Sequence, residues 1–169
     1  MDKAIDTILS LVKTKSEAGE VLFCLENFAG TIFLSKEKPP IAEYFSRLKQ
    51  ELADELIHTF TEKVSAETSR SEAESFLKQL QTALRNCKIL QLTIAFHPDD
   101  ETIALFSSWV KKEIANNILL DIQTDKTIGA GALIIIDGKY KDYSIRKKIA
   151  GVFQIQKDEI LGLLSHAKQ

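Results

Sequence analysis

The residues best equipped for chemistry are His97-Pro98-Asp99-Asp100-Glu101. An imidazole beside carboxylates offers nitrogen and oxygen donors of the kind Zn²⁺ takes, and a carboxylate near a metal-bound water is placed to remove its proton. In that arrangement His97 and Asp100 would be ligands and Asp99 the general base. A catalytic zinc ordinarily takes three protein ligands, and the only later histidine is His166, three residues from the end of the sequence. The plainer account is a helix start. Pro98 suits the first turn, and Asp99, Asp100 and Glu101 put negative charge on the positive end of the helix dipole. That account needs no metal, and no catalytic residue, metal or cofactor is expected.

Other candidates are thinner. His58 lies on the flank of an amphipathic pattern, where a solvated or hydrogen-bonded imidazole is the ordinary case. Ile128-Gly129-Ala130-Gly131 lacks the third glycine of a dinucleotide site and the Gly-Lys-Ser/Thr ending of a phosphate-binding loop. Ser107 and Ser144 have no histidine in any predictable relation to them. Lys111-Lys112 and Arg146-Lys147-Lys148 read as solvated helix faces. Cys24 and Cys87 fall inside apolar periodic stretches and read as reduced core residues, not as a disulfide.

The elements that carry these residues divide by hydrophobic period. Residues 1–86 follow a helical period. Ile5, Ile8, Leu9 and Val12 form one stripe, and Ala18, Val21, Leu22, Leu25, Phe28, Ala29, Ile32 and Phe33 a second. Pro39 and Pro40 break the chain. Ile41, Phe45, Leu48, Leu52, Leu56, Phe60 and Val64 then predict one continuous helix. After a polar gap at 65–70, Ser71 and Glu74 match a capping box opening a helix that runs to about Asn86. Four amphipathic helices imply a small antiparallel bundle.

From Lys88 the period becomes two. Leu90, Leu92, Ile94 and Phe96 predict a strand, and Ile118, Leu120 and Ile122 another. Between them a helix turns Ile103, Phe106, Trp109, Val110 and Ile114 inward. Ala132 to Ile136 reads as a buried strand ending in Asp137-Gly138, a tight-hairpin signal. The return strand begins at Lys139, and a last helix near Asp142 or Ser144 buries Ile145, Ile149, Val152, Phe153, Ile160 and Leu163. Gly129 and Gly131 allow an unusual turn before the strand, and Asp142 or Ser144 is a side-chain cap. The fold class expected is α+β: an all-α N-terminal bundle (1–86), then a small α/β C-terminal domain (87–169) with a hairpin and a terminal helix.

The 169 residues are 44% hydrophobic and 27% charged, with a formal net charge of −2. Those proportions are ordinary for a soluble globular chain, and the charge is too small to hold nucleic acid or an anionic membrane by a general field. No run of about 18 apolar residues spans a bilayer. The N-terminus lacks the apolar core of a secretory signal, so an intracellular location is expected.

Three resemblances follow from these motifs. The string His97 to Glu101 resembles the metal-binding signature of the LmbE-like zinc deacetylases. That family takes another histidine from well downstream and opens its helix with glycines, where Thr102-Ile103-Ala104-Leu105 stands here. Only 68 residues follow Glu101, too few for the remaining strands of such an enzyme. The segment from Thr124 to Ile149 resembles the C-terminal signature of the delta subunit of F-type ATP synthases, the oligomycin-sensitivity-conferring protein of mitochondria. Asp125, Ile128, Gly129, Gly131, Asp142, Ser144 and Arg146 fall at matching places, although Ala130 splits the family's paired glycines. The family's N-terminal bundle has six helices where this sequence supports four. The E subunit of archaeal and vacuolar ATPases has a similar glycine-to-hairpin pattern after a long N-terminal helix, which Pro39-Pro40 would interrupt here.

The delta resemblance implies a non-catalytic peripheral-stalk connector within proton-driven ATP synthesis. Its partners would be the N-terminal helix of an alpha subunit and the b subunits, with no nucleic acid and no membrane span of its own. Its place would be the cytoplasmic face of the cell membrane, as a peripheral part of the synthase. The signature residues are mainly structural on this reading.

Overall fold

The computed structural model describes residues 3–34, 41–63, 70–153 and 157. The expectations placed on Pro39, Pro40, Val64, Ile160, Leu163 and His166 lie outside these residues, as do the side chains of Ile32 and Phe33. The fold is mixed α/β. Its elements in order are α1 (Lys3–Leu11), α2 (Lys15–Leu34), α3 (Ile41–Phe45), α4 (Gln50–Lys63), α5 (Arg70–Arg85), β1 (Lys88–Ile94), α6 (Asp100–Glu113), β2 (Ile118–Thr124), a 3-10 turn (Lys126–Ile128), β3 (Ala132–Ile136) and β4 (Lys139–Asp142). Residues 145–153 are helical and are called α7. The sheet order is β2-β1-β3-β4.

By contacts the chain forms two compact units, Met1–Ile89 with Asp100–Asp121, and Leu90–Asp99 with Ile122–Gln169. A cut at residue 87 follows the change of hydrophobic period. The contact units differ from it chiefly over Asp100–Asp121, which carries α6 and the first half of β2.

In the first unit the apolar stripes meet in one core. Ile5, Ile8, Val21, Leu25, Leu56 and Leu80 are fully or almost fully buried. Phe28 is its aromatic centre, with Phe60, Phe45 and Tyr44 at ring-centroid distances of 4.8, 5.7 and 5.3 Å. Cys24 is buried, Cys87 is half-buried, and both are free thiols. Burial pushes both thiols above the usual cysteine range.

Two local expectations need correction here. The stripe from Ile41 to Phe60 spans two helices, not one. After Phe45 the Leu48 amide donates to the Phe45 carbonyl at 3.0 Å, a tight three-residue closure that ends α3. Phe45, Leu48 and Leu52 stay buried through the break, because a step of three residues keeps them on one side. Ser71 is not the cap of α5, since the helix has begun by Arg70. The capping box sits instead at Thr14 and Glu17. The Thr14 hydroxyl accepts from the Glu17 amide at 3.2 Å, and Glu17 Oε2 accepts from the amides of Thr14 and Lys13 at 3.2 and 2.8 Å. Three amides at the start of α2 are thereby satisfied, those of Thr14 and Glu17 reciprocally.

Helix α6 begins at Asp100, so Pro98 stands ahead of its first turn, where Asp100 and Glu101 supply the acidic residues. Its buried positions are Ser107 and Val110. Trp109, expected inside, is exposed, because it stands about 100° round the helix from Val110. Ile114, also expected inside, follows the last residue of α6 and is exposed.

In the second unit β1 pairs antiparallel with β3, placing Leu92 opposite Ile134 and Ile94 opposite Ala132. Phe96 lies beyond the strand and is exposed. β3 turns into β4 through Asp137 and Gly138, with φ of 49° and 73°, as a two-residue hairpin requires. The five residues of β3 are only partly buried, so the strand is not the closed core element its composition implied. The larger correction concerns α7. Ile145, Ile149, Val152 and Phe153 were expected inside, yet each is about half exposed or more.

Candidate functional site

The seven signature residues all lie in the second unit, around the junction that launches α7. Asp125 starts it. Its Oδ1 accepts from the Thr127 amide at 2.8 Å and closes the 3-10 turn, whose last residue, Ile128, is buried. Hydrogen bonding from Thr127 holds the Asp125 carboxyl below its ordinary range, and the charge of Arg146 adds to this. Gly129 ends the turn at φ 75°.

Gly131 carries the closest approach. At φ 89° a Cβ there would press into the Tyr143 carbonyl oxygen and lie 3.1 Å from the Ser144 Cα. Only glycine lets these two backbones come so near. Two hydrogen bonds fasten the approach, from the Tyr143 amide to the Ala132 carbonyl at 2.9 Å and from the Ile145 amide to the Ala130 carbonyl at 2.8 Å.

The cap of α7 resolves to Ser144. Its buried hydroxyl accepts from the Lys147 amide at 3.3 Å, while Asp142 Oδ1 accepts from the Ser144 amide at 2.8 Å. Hydrogen bonding from Ser144, its side chain first and its amide second, holds the Asp142 carboxyl below its ordinary range. Ser144 therefore caps the helix and Asp142 positions Ser144. The signature residues make a clasp between a glycine turn and a helix start. What the clasp presents is α7 itself, with an exposed apolar stripe beside the exposed Arg146, Lys147 and Lys148.

The residues of the metal-like string have other partners. His97 is exposed, with Nδ1 3.2 Å from the Thr124 hydroxyl. Asp100 pairs with Lys49 at 2.7 Å, and Lys49 also reaches Glu17 at 3.1 Å. Among the described residues no group of three or more His, Cys, Asp or Glu side chains is placed to hold a metal ion. His58 is exposed and 3.6 Å from Glu62, one turn on. Among the described residues no helix is long and apolar enough to cross a membrane.

Two features of the first unit escaped the sequence. Lys111, read as a solvated cation, is half-buried. Its Nζ donates to the carbonyls of Leu9, Ser10 and Val12 at 2.9, 2.8 and 2.7 Å. These carbonyls belong to the end of α1, where no later amide of the helix remains to bond them. Burial lowers the Lys111 pKa from the usual lysine value. The second feature is a cleft of about 230 Å³ lined by Phe23, Cys24, Asn27, Glu43, Tyr44 and Arg47. It adjoins another that shares Phe23, Cys24 and Arg47 and extends to Ser16, Gly19 and Glu20. Phe23 is half exposed in the middle of α2, an apolar ring opening onto solvent. Sequence spacing alone did not mark either feature, because both arise where distant segments meet.

Comparison with family models and with curated proteins finds no match for this chain.

Proposed function

We propose that this chain is a delta-type connector of a rotary ATP synthase, a non-catalytic subunit that fastens the peripheral stalk to the catalytic head. The observation that carries the reading is the clasp. Asp125, Ile128, Gly129, Gly131, Asp142, Ser144 and Arg146 are the residues of the resemblance, and in this fold they gather at one junction. A signature that serves architecture suits a subunit whose work is mechanical.

On this reading residues 1–86 are a helical bundle on the crown of the head. The cleft beside Phe23 and Tyr44 receives the amphipathic N-terminal helix of an alpha subunit, in the helix-in-groove manner. Residues 87–169 bind the b subunits, and the exposed stripe of α7 supplies apolar area for that contact. The connector keeps the head from turning with the rotor while proton flow drives synthesis. It does so at the cytoplasmic face of the membrane without spanning it. Such a part needs affinity and stiffness and no catalytic group.

The test is affinity purification of the tagged full chain from its native membranes, with mass spectrometry of what accompanies it. Alpha, beta and b subunits are the expected companions. Intact, active synthase from the same membranes that lacks this chain would overturn the proposal.

A further inference from the structure

The outer face of α6 is apolar at its centre and oppositely charged at its ends. Leu105 and Trp109 are 70% and 56% exposed, the former the most exposed large hydrophobic residue among those described. Glu101, Ser108 and Lys112 are exposed with them. At 100° per residue these five positions fall within about 100° of arc, opposite the buried Ser107 and Val110. Glu101 and Lys112 stand eleven residues apart, about 16 Å along the axis. One end of the stripe is therefore negative, the other positive, and the apolar pair lies between.

A stripe with that order is complementary to itself when reversed. We infer that α6 is a self-association surface, on which a second copy of this chain lies antiparallel across a two-fold axis. The axis falls midway between Glu101 and Lys112. Glu101 of each copy then meets Lys112 of the other, and Leu105 of each meets Trp109 of the other. Ser108, small and near the axis, lets the helices approach. A two-fold contact uses the same patch on both copies, which is the requirement that this charge order satisfies. The buried patch is small, so the contact is weak and concentration-dependent. This inference is independent of the connector reading and neither needs nor tests it.

Trp109 is the only tryptophan in the chain, so its emission reports on this surface directly. The experiment is sedimentation equilibrium of the purified full chain from micromolar to millimolar concentration, with tryptophan emission recorded over the same range. The expected result is a monomer–dimer equilibrium with a dissociation constant on the order of 0.1 mM, accompanied by a blue shift of the emission. Glu101→Lys alone and Lys112→Glu alone set like charges against each other and should each weaken association about tenfold. The double exchange, Glu101→Lys with Lys112→Glu, restores both pairs and should return association to its original strength. Both substituted positions are exposed, and circular dichroism checks that each variant is folded. A monomer at every concentration with unchanged, solvent-type emission overturns the inference. So does a dimer indifferent to the single exchanges, which would place the contact elsewhere.

Discussion

Replacing Gly131 by alanine should damage the clasp far more than the same change at Gly138, although both glycines have positive φ. An alanine at 138 keeps φ near 73° and meets nothing within 4 Å, so its cost is the left-handed strain alone, about 1–2 kcal/mol. At 131 the strain at φ 89° is of similar kind, about 1–3 kcal/mol. The new Cβ also presses on the Tyr143 carbonyl and Ser144 Cα, which are backbone and have no rotamer to escape into. To relieve the contact the two segments must part. Parting them strains or breaks the bonds from Tyr143 to Ala132 and from Ile145 to Ala130, each worth about 1 kcal/mol. The expected total is about 3–5 kcal/mol, against about 1–2 for Gly138→Ala. Hydrogen exchange at the Tyr143 and Ile145 amides is the proper assay, because a chain of two compact units need not unfold in one step. Protection at both amides should fall in Gly131→Ala and persist in Gly138→Ala. If the two variants agree within about 0.5 kcal/mol, the close approach is not what demands glycine at 131.

Lys111→Met keeps most of the side-chain volume but leaves the carbonyls of Leu9, Ser10 and Val12 without their donor. It should cost about 2–3 kcal/mol, read as a lower urea midpoint of the first unit. Gly19 lies within α2 with open space where a Cβ would go, so Gly19→Ala should raise stability by about 0.5–1 kcal/mol in the same measurement. Asp125 and Asp142 hold their protons less tightly folded than unfolded. Their contribution is therefore full above the ordinary value of 3.8 and fades as pH falls through the lower folded values. Acid titration followed by exchange should show the start of α7 opening below about pH 4, and Asp142→Asn should remove part of that dependence.

What the sequence disclosed tracks how local each cause is. The hairpin at Asp137-Gly138 was legible because two adjacent residues determine its backbone. The glycine turn was legible for the same reason, and so was the choice of Asp142 or Ser144 as cap, narrowed by the structure to Ser144. Capping boxes show the limit of that legibility. Ser71-x-x-Glu74 and Thr14-x-x-Glu17 have the same pattern, but only the second stands where a helix begins. Position relative to the first turn decides the matter, and the pattern does not encode it. The break between α3 and α4 was hidden because a three-residue closure preserves the stripe. Lys111 was misread for a deeper reason. Its partners lie about a hundred residues away in the chain, and a half-buried ammonium bonding three carbonyls has the same one-letter code as a solvated one.

The exposed stripe of α7 bears on function through its phase. Single exposed apolar residues are normal on any protein surface and signify little. Ile145, Ile149, Val152 and Phe153 are different, because they stand at steps of four, three and one, the spacing of one helix face. Residues scattered over a surface for want of polar alternatives have no reason to keep a helical phase. Arg146, Lys147 and Lys148 interrupt the stripe on its flank, so the helix is amphipathic in the ordinary sense while its apolar side meets water. The chain has also spent an unusual local conformation, two positive-φ glycines and a buried serine, on fixing where this helix starts. A loosely attached tail would need none of it. This capped start and the exposed apolar face are what the proposed contact of α7 with the b subunits rests on.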